Sequence, residues 1–228
     1  MTTEEKLKID VLLKGCENLK NALMYRRSYN EIKKILEMEE WNQEKYKNLL
    51  TPNIWQRSAT EIKAILALPE WNNKEFANLL APNIWSCSYE EIKTILSLKE
   101  LTDKKFKNII TSNIWTSNSL EISRILSMPE WDNKEFASLL SPNIWNSNYS
   151  EIKAILSIKE FQEKRFKGLL KPNIWNSSSS EIKKILGMKE WNDEKYTHLL
   201  TSNIWSCNSK NIEKILSIPE LLEEISKI

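Results

Sequence analysis

The amino-acid sequence predicts an all-α protein, arranged as an α-solenoid of 30-residue repeats. The tripeptide Asn-Ile-Trp returns at a constant spacing of 30 residues, and its tryptophan is Trp55, Trp85, Trp115, Trp145, Trp175 and Trp205. Helix-capping residues and helically spaced apolar residues return at the same interval. Glycine, with 3 in 228 residues, is too scarce for most sandwiches, barrels and phosphate loops. A fixed period of roughly 20–50 residues is typical of stacked repeats.

The repeat count defines three parts of the chain. Six clear repeats are predicted over residues 31–210, after a degenerate copy at Leu23-Met24-Tyr25. Residues 1–30 are predicted to hold this copy and an N-terminal capping helix, with 3–24 as one long amphipathic helix. Residues 211–228 are predicted to form C-terminal capping helices, the last from Leu221 to Ile228. Stacked arrays need such ends because a terminal repeat has only one neighbour.

Each repeat is predicted to begin with a short helix. Ser58 followed by Glu61 is the pattern of a capping box, in which both side chains bond to free amide groups at a helix start. Ile62, Ile65 and Leu66 have the i, i+3, i+4 spacing of one apolar stripe. The helix should end before Pro69, because the residue before a proline avoids the α region.

A second short helix and a 3₁₀-like turn are predicted to complete the repeat. Asn72 is predicted to cap the second helix, and Phe76, Leu79 and Leu80 form its apolar stripe. Pro82 then suits the first position of the turn that carries Ile-Trp. One such unit cannot bury its apolar residues alone, so the repeats must stack. A superhelix of either hand is compatible with this pattern.

The ten tryptophans are predicted to pack in the core rather than to stack on bases. The tryptophan of Asn-Ile-Trp follows isoleucine in an almost invariant frame, which favours packing. A second set, Trp41, Trp71, Trp131 and Trp191, is replaced by Leu101, Phe161 and Leu221 in other repeats. Exchange among apolar residues again indicates a core position.

The composition argues against catalysis. His198 is the single histidine, so a Ser/His, Cys/His or histidine-rich metal site is incomplete. No glycine-rich phosphate loop is present, and the carboxylates recur in every repeat, as capping residues do. We therefore expect a binding protein that is not an enzyme and uses no cofactor, metal or small-molecule substrate.

The cysteines and hydropathy predict a cytoplasmic protein. Cys16, Cys87 and Cys207 are odd in number and widely spaced, which fits reduced thiols better than a disulfide framework. No apolar run approaches the roughly 20 residues that span a bilayer. Neither a signal peptide nor a transit peptide is recognisable at the start of the sequence, and no membrane association is expected.

The repeat frame resembles that of the mitochondrial transcription termination factor family. The frame is Leu-Leu-x-Pro-x-Ile-Trp-x-x-Ser-x-x-Glu-Ile-x-x-Ile-Leu, as it stands from Leu79 to Leu96. The resemblance covers the whole chain and suggests a divergent relative without a transit peptide. It implies repeats of two helices and a short 3₁₀ turn, and binding of double-stranded nucleic acid along a basic concave face.

Basic residues recur on the first helix of each repeat, away from its apolar stripe. Stacking would align them into a basic ribbon that could follow a phosphate backbone, although a solvated helix face is the alternative. We define the basic ribbon as Lys33, Lys34, Lys63, Lys93, Arg124, Lys153, Lys183, Lys184 and Lys214.

The two residues after each tryptophan vary while their neighbours hardly change. Arg26 and Arg27 follow Tyr25, and Arg57 lies in the next such pair. These pairs stand beside predicted helix N-termini, which favour anions, so they are further candidates for a nucleic-acid contact. The alternative is a surface turn that tolerates substitution.

The expected function is therefore binding, and two ligand classes remain open. Nucleic acid, as double-stranded DNA or RNA, is favoured by the resemblance and the basic ribbon. The net charge of +2 neither requires nor excludes it. The alternative is a scaffold that binds a peptide or protein in the solenoid groove, which predicts mixed charge and exposed apolar contacts there.

Overall fold

The computed structural model describes residues 2–218. Every regular element within this range is an α-helix or a 3₁₀-helix, and no strand occurs in it. The all-α prediction is confirmed. The predicted terminal helix from Leu221 to Ile228 lies outside the described residues.

One α-helix begins the chain and one begins each repeat, with a single additional turn of α-helix in the 121–150 repeat. The eight-residue helices all end at a leucine, three residues before the next 3₁₀-helix wherever the structure describes one, as the proline pattern predicted. The α-helices are α1 Thr3–Leu12, α2 Tyr29–Leu36, α3 Ala59–Leu66, α4 Tyr89–Leu96, α5 Ser119–Leu126, α6 Lys134–Ala137, α7 Tyr149–Leu156, α8 Ser179–Leu186 and α9 Ser209–Leu216.

Three 3₁₀ segments follow the α-helix in most repeats. The first segments are Glu39–Asn42, Pro69–Asn72, Lys99–Thr102, Pro129–Asp132, Lys159–Gln162 and Lys189–Asn192. The second segments are Glu44–Leu49, Lys74–Leu79, Lys104–Ile109, Lys164–Leu169 and Glu194–Leu199. The third segments, which carry Asn-Ile-Trp, are Pro52–Gln56, Pro82–Ser86, Ser112–Thr116, Pro142–Asn146, Pro172–Asn176 and Ser202–Ser206.

The second predicted helix is thus two 3₁₀ segments in the described repeats, apart from α6. The cap of the second segment lies one residue later than predicted. Asn73, and not Asn72, caps the second segment, because its side chain accepts a hydrogen bond of 3.0 Å from the Glu75 N–H. Asn73 has extended backbone (φ −80°, ψ 120°), which separates the two short helices.

The long N-terminal helix predicted over 3–24 is wrong. Helix α1 ends at Leu12, and Gly15 follows with a φ of +87°, a left-handed conformation that favours glycine. The N–H of Gly15 donates to the Glu17 side chain at 3.1 Å. Two short 3₁₀-helices, Glu17–Leu19 and Met24–Arg26, replace the remainder.

The chain divides into two compact units, Met1–Ser123 and Arg124–Ile228. In the first unit α3 packs between α2 and α4, and in the second α8 packs between α7 and α9. Third segments of neighbouring repeats also pack together within each unit. Each unit is therefore built from adjacent repeats in contact.

The tryptophans of Asn-Ile-Trp are core residues, as predicted. All six are at most 4% exposed. Within each unit their indole N–H groups donate to a leucine carbonyl 36 residues earlier, as Trp85 does to Leu49 at 2.7 Å. The same bond joins Trp55 to Leu19, Trp115 to Leu79, Trp175 to Leu139 and Trp205 to Leu169. These bonds satisfy buried carbonyls and fix one repeat to another.

The second tryptophan set acts inside one repeat. The Trp71 indole N–H donates to the Ile65 carbonyl at 2.6 Å, near the C-terminal end of α3. Trp71, Trp131 and Trp191 are buried, and so are Leu101 and Phe161, which confirms the core prediction; Trp41 is half-buried. Leu101 and Phe161 can fill this space because the equivalent carbonyls, those of Ile95 and Ile155, accept from the N–H groups of Leu98 and Ile158.

Candidate nucleic-acid interface

Every residue of the basic ribbon is solvent-exposed. All nine cations occupy one of two equivalent positions on the α-helices that begin the repeats. Lys33, Lys63 and Lys93 each follow the first buried isoleucine of α2, α3 and α4, and Lys153 and Lys183 do so in α7 and α8. The second position, one residue later, holds Lys34, Arg124, Lys184 and Lys214. The structure thus presents the predicted cations on the outward side of adjacent helices in each unit.

Small side chains separate these cations on the outward faces. Ala64 and Thr94 stand where α2 has Lys34, and Ala154 stands where α8 has Lys184. The residue after each α-helix is also usually small, as with Ala67 and Ser97. Exposed acidic residues of these faces are Glu37, Glu90 and Glu213. Small neighbours let an extended ligand approach the lysine side chains closely.

The recurring glutamate of the first helix is directed at the next repeat. Ser58 accepts from the Glu61 N–H at 3.2 Å, which is one half of the predicted capping box. The Glu61 carboxylate does not complete the box and instead accepts from the N–H of Tyr89 at 3.1 Å. Equivalent bonds run from Ala59 to Glu31, Ser119 to Glu91, Ser179 to Glu151 and Ser209 to Glu181.

This hydrogen bond places the negative charge of each glutamate beside a positive helix terminus. The acceptor lies at the N-terminus of the following α-helix, whose free N–H groups carry partial positive charge. Backbone hydrogen bonding from Ser209 lowers the pKa of Glu181, as expected for a carboxylate held in its ionised form. The charge of these glutamates is therefore balanced by the helix N-termini and not by the lysines alone.

Arg27 and Arg57 are half-buried and bond to the following repeat. The Arg57 guanidinium donates to the carbonyls of Trp85 and Ser86, both at 2.8 Å, and approaches Glu61 at 3.3 Å. Arg27 donates to the Trp55 carbonyl at 2.7 Å. Of the three arginines in the pairs that follow the tryptophan position, Arg26 alone is exposed on the surface.

The position of Arg57 is a connection between repeats that different donors can make. Cys87 donates to the Trp115 carbonyl at 3.3 Å, and Ser177 donates to the Trp205 carbonyl at 2.7 Å. Desolvation raises the pKa of the Cys87 thiol, which keeps it protonated as a donor. Arginine, cysteine and serine share only the ability to donate a hydrogen bond, so this connection appears in the sequence as variation.

A second set of recurring glutamates has no partner in the described part of the chain. Glu40, Glu70, Glu100, Glu130, Glu160 and Glu190 are half-buried, and none makes a side-chain hydrogen bond or ion pair with another described residue. The Glu70 Oε2 atom is fully buried and unpaired. Their charge moderates the positive potential of the ribbon.

One open groove shows this mixture of charges. It lies between α2 and α3 and has a volume of about 700 Å³. Lys34 and Lys63 line it together with Glu37, Glu39 and Glu40, above a floor that includes Ala59, Ala64 and Ala67. Its acidic residues come from the segment that follows α2.

Residues 2–218 contain no group of three or more His, Cys, Asp or Glu side chains arranged to hold a metal ion. His198 lies in the second segment Glu194–Leu199. No helix in this range has the length and apolarity required to cross a membrane.

No protein-family model, curated protein or solved structure matches the chain. The relation to the mitochondrial transcription termination factor family therefore stays a prediction from the repeat frame.

Proposed function

We propose that this chain is a non-enzymatic α-solenoid that binds nucleic acid through the basic ribbon. The observation that carries the proposal is the shared outward position of Lys33, Lys63 and Lys93 on three adjacent helices. Lys153 and Lys183 repeat it in the second unit. Lysines at one position of packed helices form a row of charges, which suits a regularly charged ligand.

Spacing supports a phosphate backbone as the ligand. Packed helices lie about 8–10 Å apart, so the outer two of three neighbours are separated by roughly 16–20 Å. That distance corresponds to about five or six base pairs at ~3.4 Å each. The lysine row of one unit is therefore long enough to contact several phosphates, and each neutralised phosphate releases counterions.

Salt-dependent binding tests this proposal. We expect labelled DNA or RNA to bind at low salt, with an affinity that falls linearly with salt concentration on logarithmic axes. The variant Lys63→Glu/Lys93→Glu/Lys153→Glu should weaken binding and reduce the steepness of that line by about three, or one for each lost phosphate contact. Circular dichroism should show unchanged helicity, because all three side chains are exposed.

A matched variant distinguishes the effect of losing the ribbon lysines from the effect of changing the net charge. Lys74, Lys104 and Lys164 are exposed residues of second segments. Their replacement by glutamate changes the total charge by the same amount outside the ribbon. Equal weakening by both triple variants, or no binding at low salt, would remove the ribbon from the function.

The mixed-charge groove between α2 and α3 favours a second candidate, a scaffold for a protein segment. Its alanine-rich floor and unpaired Glu40 suit a peptide that carries both apolar and basic residues. Under this function Ala64→Arg, which would fill the groove, should abolish peptide binding and leave the lysine row in place. Nucleic-acid binding that is retained or strengthened by Ala64→Arg would favour the ribbon.

A further inference from the structure

We infer that the preferred ligand is single-stranded nucleic acid, with bases stacked on Tyr89 and Tyr149; this inference rests on the proposed function. Both tyrosines occupy the first position of their helices, α4 and α7. Both are half-buried, so part of each ring is accessible. They lie on the same helices as the ribbon residues Lys93 and Lys153.

Each ring stands beside a ribbon lysine in the same geometry. The Nζ atom of Lys93 is 5.8 Å from the centre of the Tyr89 ring, and that of Lys153 is 5.8 Å from the centre of the Tyr149 ring. These distances are near the outer limit of a cation–π interaction, about 6 Å, so the attraction holding the lysine is weak. The ammonium group is consequently available to an approaching phosphate.

The fold does not require an aromatic residue at this position. Ala59 begins α3 and Ser179 begins α8, where Tyr89 and Tyr149 begin α4 and α7. The backbone N–H donates to the preceding glutamate in either case, from Ala59 to Glu31 and from Tyr89 to Glu61. The tyrosine side chain is therefore not needed for the hydrogen bond that connects the repeats.

An aromatic ring next to an ammonium group can bind both the base and the phosphate of one nucleotide. The base and the phosphate of a nucleotide are separated by one sugar, so a base on the tyrosine brings its phosphate towards the lysine. Base–aromatic stacking is the main sequence-independent contact of single-strand binding proteins. In a duplex the faces of the bases are occupied by their neighbours, so a surface ring cannot reach them without unstacking.

Fluorescence anisotropy on the full chain tests the inference. The probes are a labelled oligothymidylate of about twelve nucleotides, an oligouridylate of that length and a mixed-sequence duplex of that length. We expect a single strand to bind at least about tenfold more tightly than the duplex, and the two single strands identify DNA or RNA. Tyr89→Leu and Tyr149→Leu should each reduce single-strand affinity by about tenfold, with duplex affinity unchanged.

Leucine keeps apolar volume without a π face, and phenylalanine restores the face. Tyr89→Phe and Tyr149→Phe should therefore retain single-strand affinity within about twofold, since stacking does not need the hydroxyl group. Thermal unfolding of the leucine variants checks that the helices still form. Tighter binding to the duplex, or unchanged single-strand affinity in the leucine variants, overturns this inference while the ribbon stands. Absence of binding to all three probes overturns both.

Discussion

Glu61 accepts a hydrogen bond from the backbone N–H of Tyr89, 28 residues later, at 3.1 Å. A side chain that caps its own helix in a capping box here caps the helix of the next repeat. The neighbouring helix N-terminus supplies both the donor and the favourable dipole. Glu61 thus connects two repeats, although the capping-box pattern in the sequence assigns it to one helix.

Replacing Glu61 should therefore destabilise the protein more than replacing Glu70. Glu61→Ala removes the bond to Tyr89 and the contact with Arg57, and we expect a loss of about 1–2 kcal/mol in the free energy of unfolding. Glu70→Ala removes a carboxylate whose Oε2 atom is buried without a partner, and should change stability by less than about 0.5 kcal/mol or increase it.

Urea denaturation followed by circular dichroism measures both variants. The comparison is matched, since each change removes one half-buried glutamate side chain. A loss from Glu70→Ala as large as that from Glu61→Ala would mean that Glu70 has a structural role that its contacts do not show.

Arg57→Ser should lower stability without lowering nucleic-acid affinity. The guanidinium donates to the carbonyls of Trp85 and Ser86, and a serine at the equivalent Ser177 keeps one such bond, to Trp205. We expect a loss of about 1 kcal/mol on unfolding in urea. The same sample in an anisotropy titration should bind within about twofold of wild type, after the small change in net charge.

Lys63→Ser supplies the control, because Lys63 is an exposed ribbon residue on the next helix. It should show the opposite pattern, with stability retained and affinity reduced. If Arg57→Ser weakens binding more than Lys63→Ser does, Arg57 contacts the ligand directly, as the sequence analysis predicted.

The all-α class and the core could be predicted because the residues that specify them repeat. Trp85 and its equivalents recur in an invariant frame, and invariance with isoleucine beside it indicates burial. Local pattern also found the ends of the eight-residue helices. It could not show that the Trp85 indole reaches Leu49, because a contact across 36 residues leaves no local signal.

The exposure of the basic ribbon could be predicted for a similar reason. The lysines of the ribbon recur with the 30-residue period at helix positions outside the apolar stripe, so their exposure could be inferred from spacing. The bonds of Arg57 could not, since the same connection is made by Cys87 and Ser177 and hence appears as variability. The extended backbone of Asn73, which replaces a continuous second helix by two short ones, likewise has no strong sequence signal.

Gly15→Ala should destabilise the protein, whereas Gly168→Ala should not. Gly15 has a φ of +87°, and an L-residue in that region costs about 1–2 kcal/mol. Space is not the reason, because a Cβ atom at either glycine would meet no atom within 4 Å. Gly168 has no positive φ and lies in a helical segment, where alanine is favoured by up to ~1 kcal/mol.

Thermal unfolding of the two variants tests this difference in backbone conformation. We expect a lower Tm for Gly15→Ala and an equal or higher Tm for Gly168→Ala. Equal Tm values for wild type and Gly15→Ala would show that the turn after α1 contributes nothing to the unfolding transition.

Stability should also depend on pH through Glu181. Hydrogen bonds from Ser209 lower its pKa from the ordinary value of 4.5, so the folded state binds a proton less readily than the unfolded chain. The resulting stabilisation is complete above pH 4.5 and disappears as the pH falls through the lower, folded-state pKa. Glu181→Gln keeps an acceptor for Ser209 but has no charge to lose.

Urea denaturation of wild type and Glu181→Gln across this pH range isolates the contribution. Other carboxylates titrate equally in both proteins, so the difference between the two unfolding free energies reports on residue 181 alone. We expect wild type to be more stable at pH 7 and the difference to close as the solution is acidified. A difference that stays constant with pH would mean that the Glu181 carboxylate acts at the α9 N-terminus only as a hydrogen-bond acceptor, with no contribution from its charge.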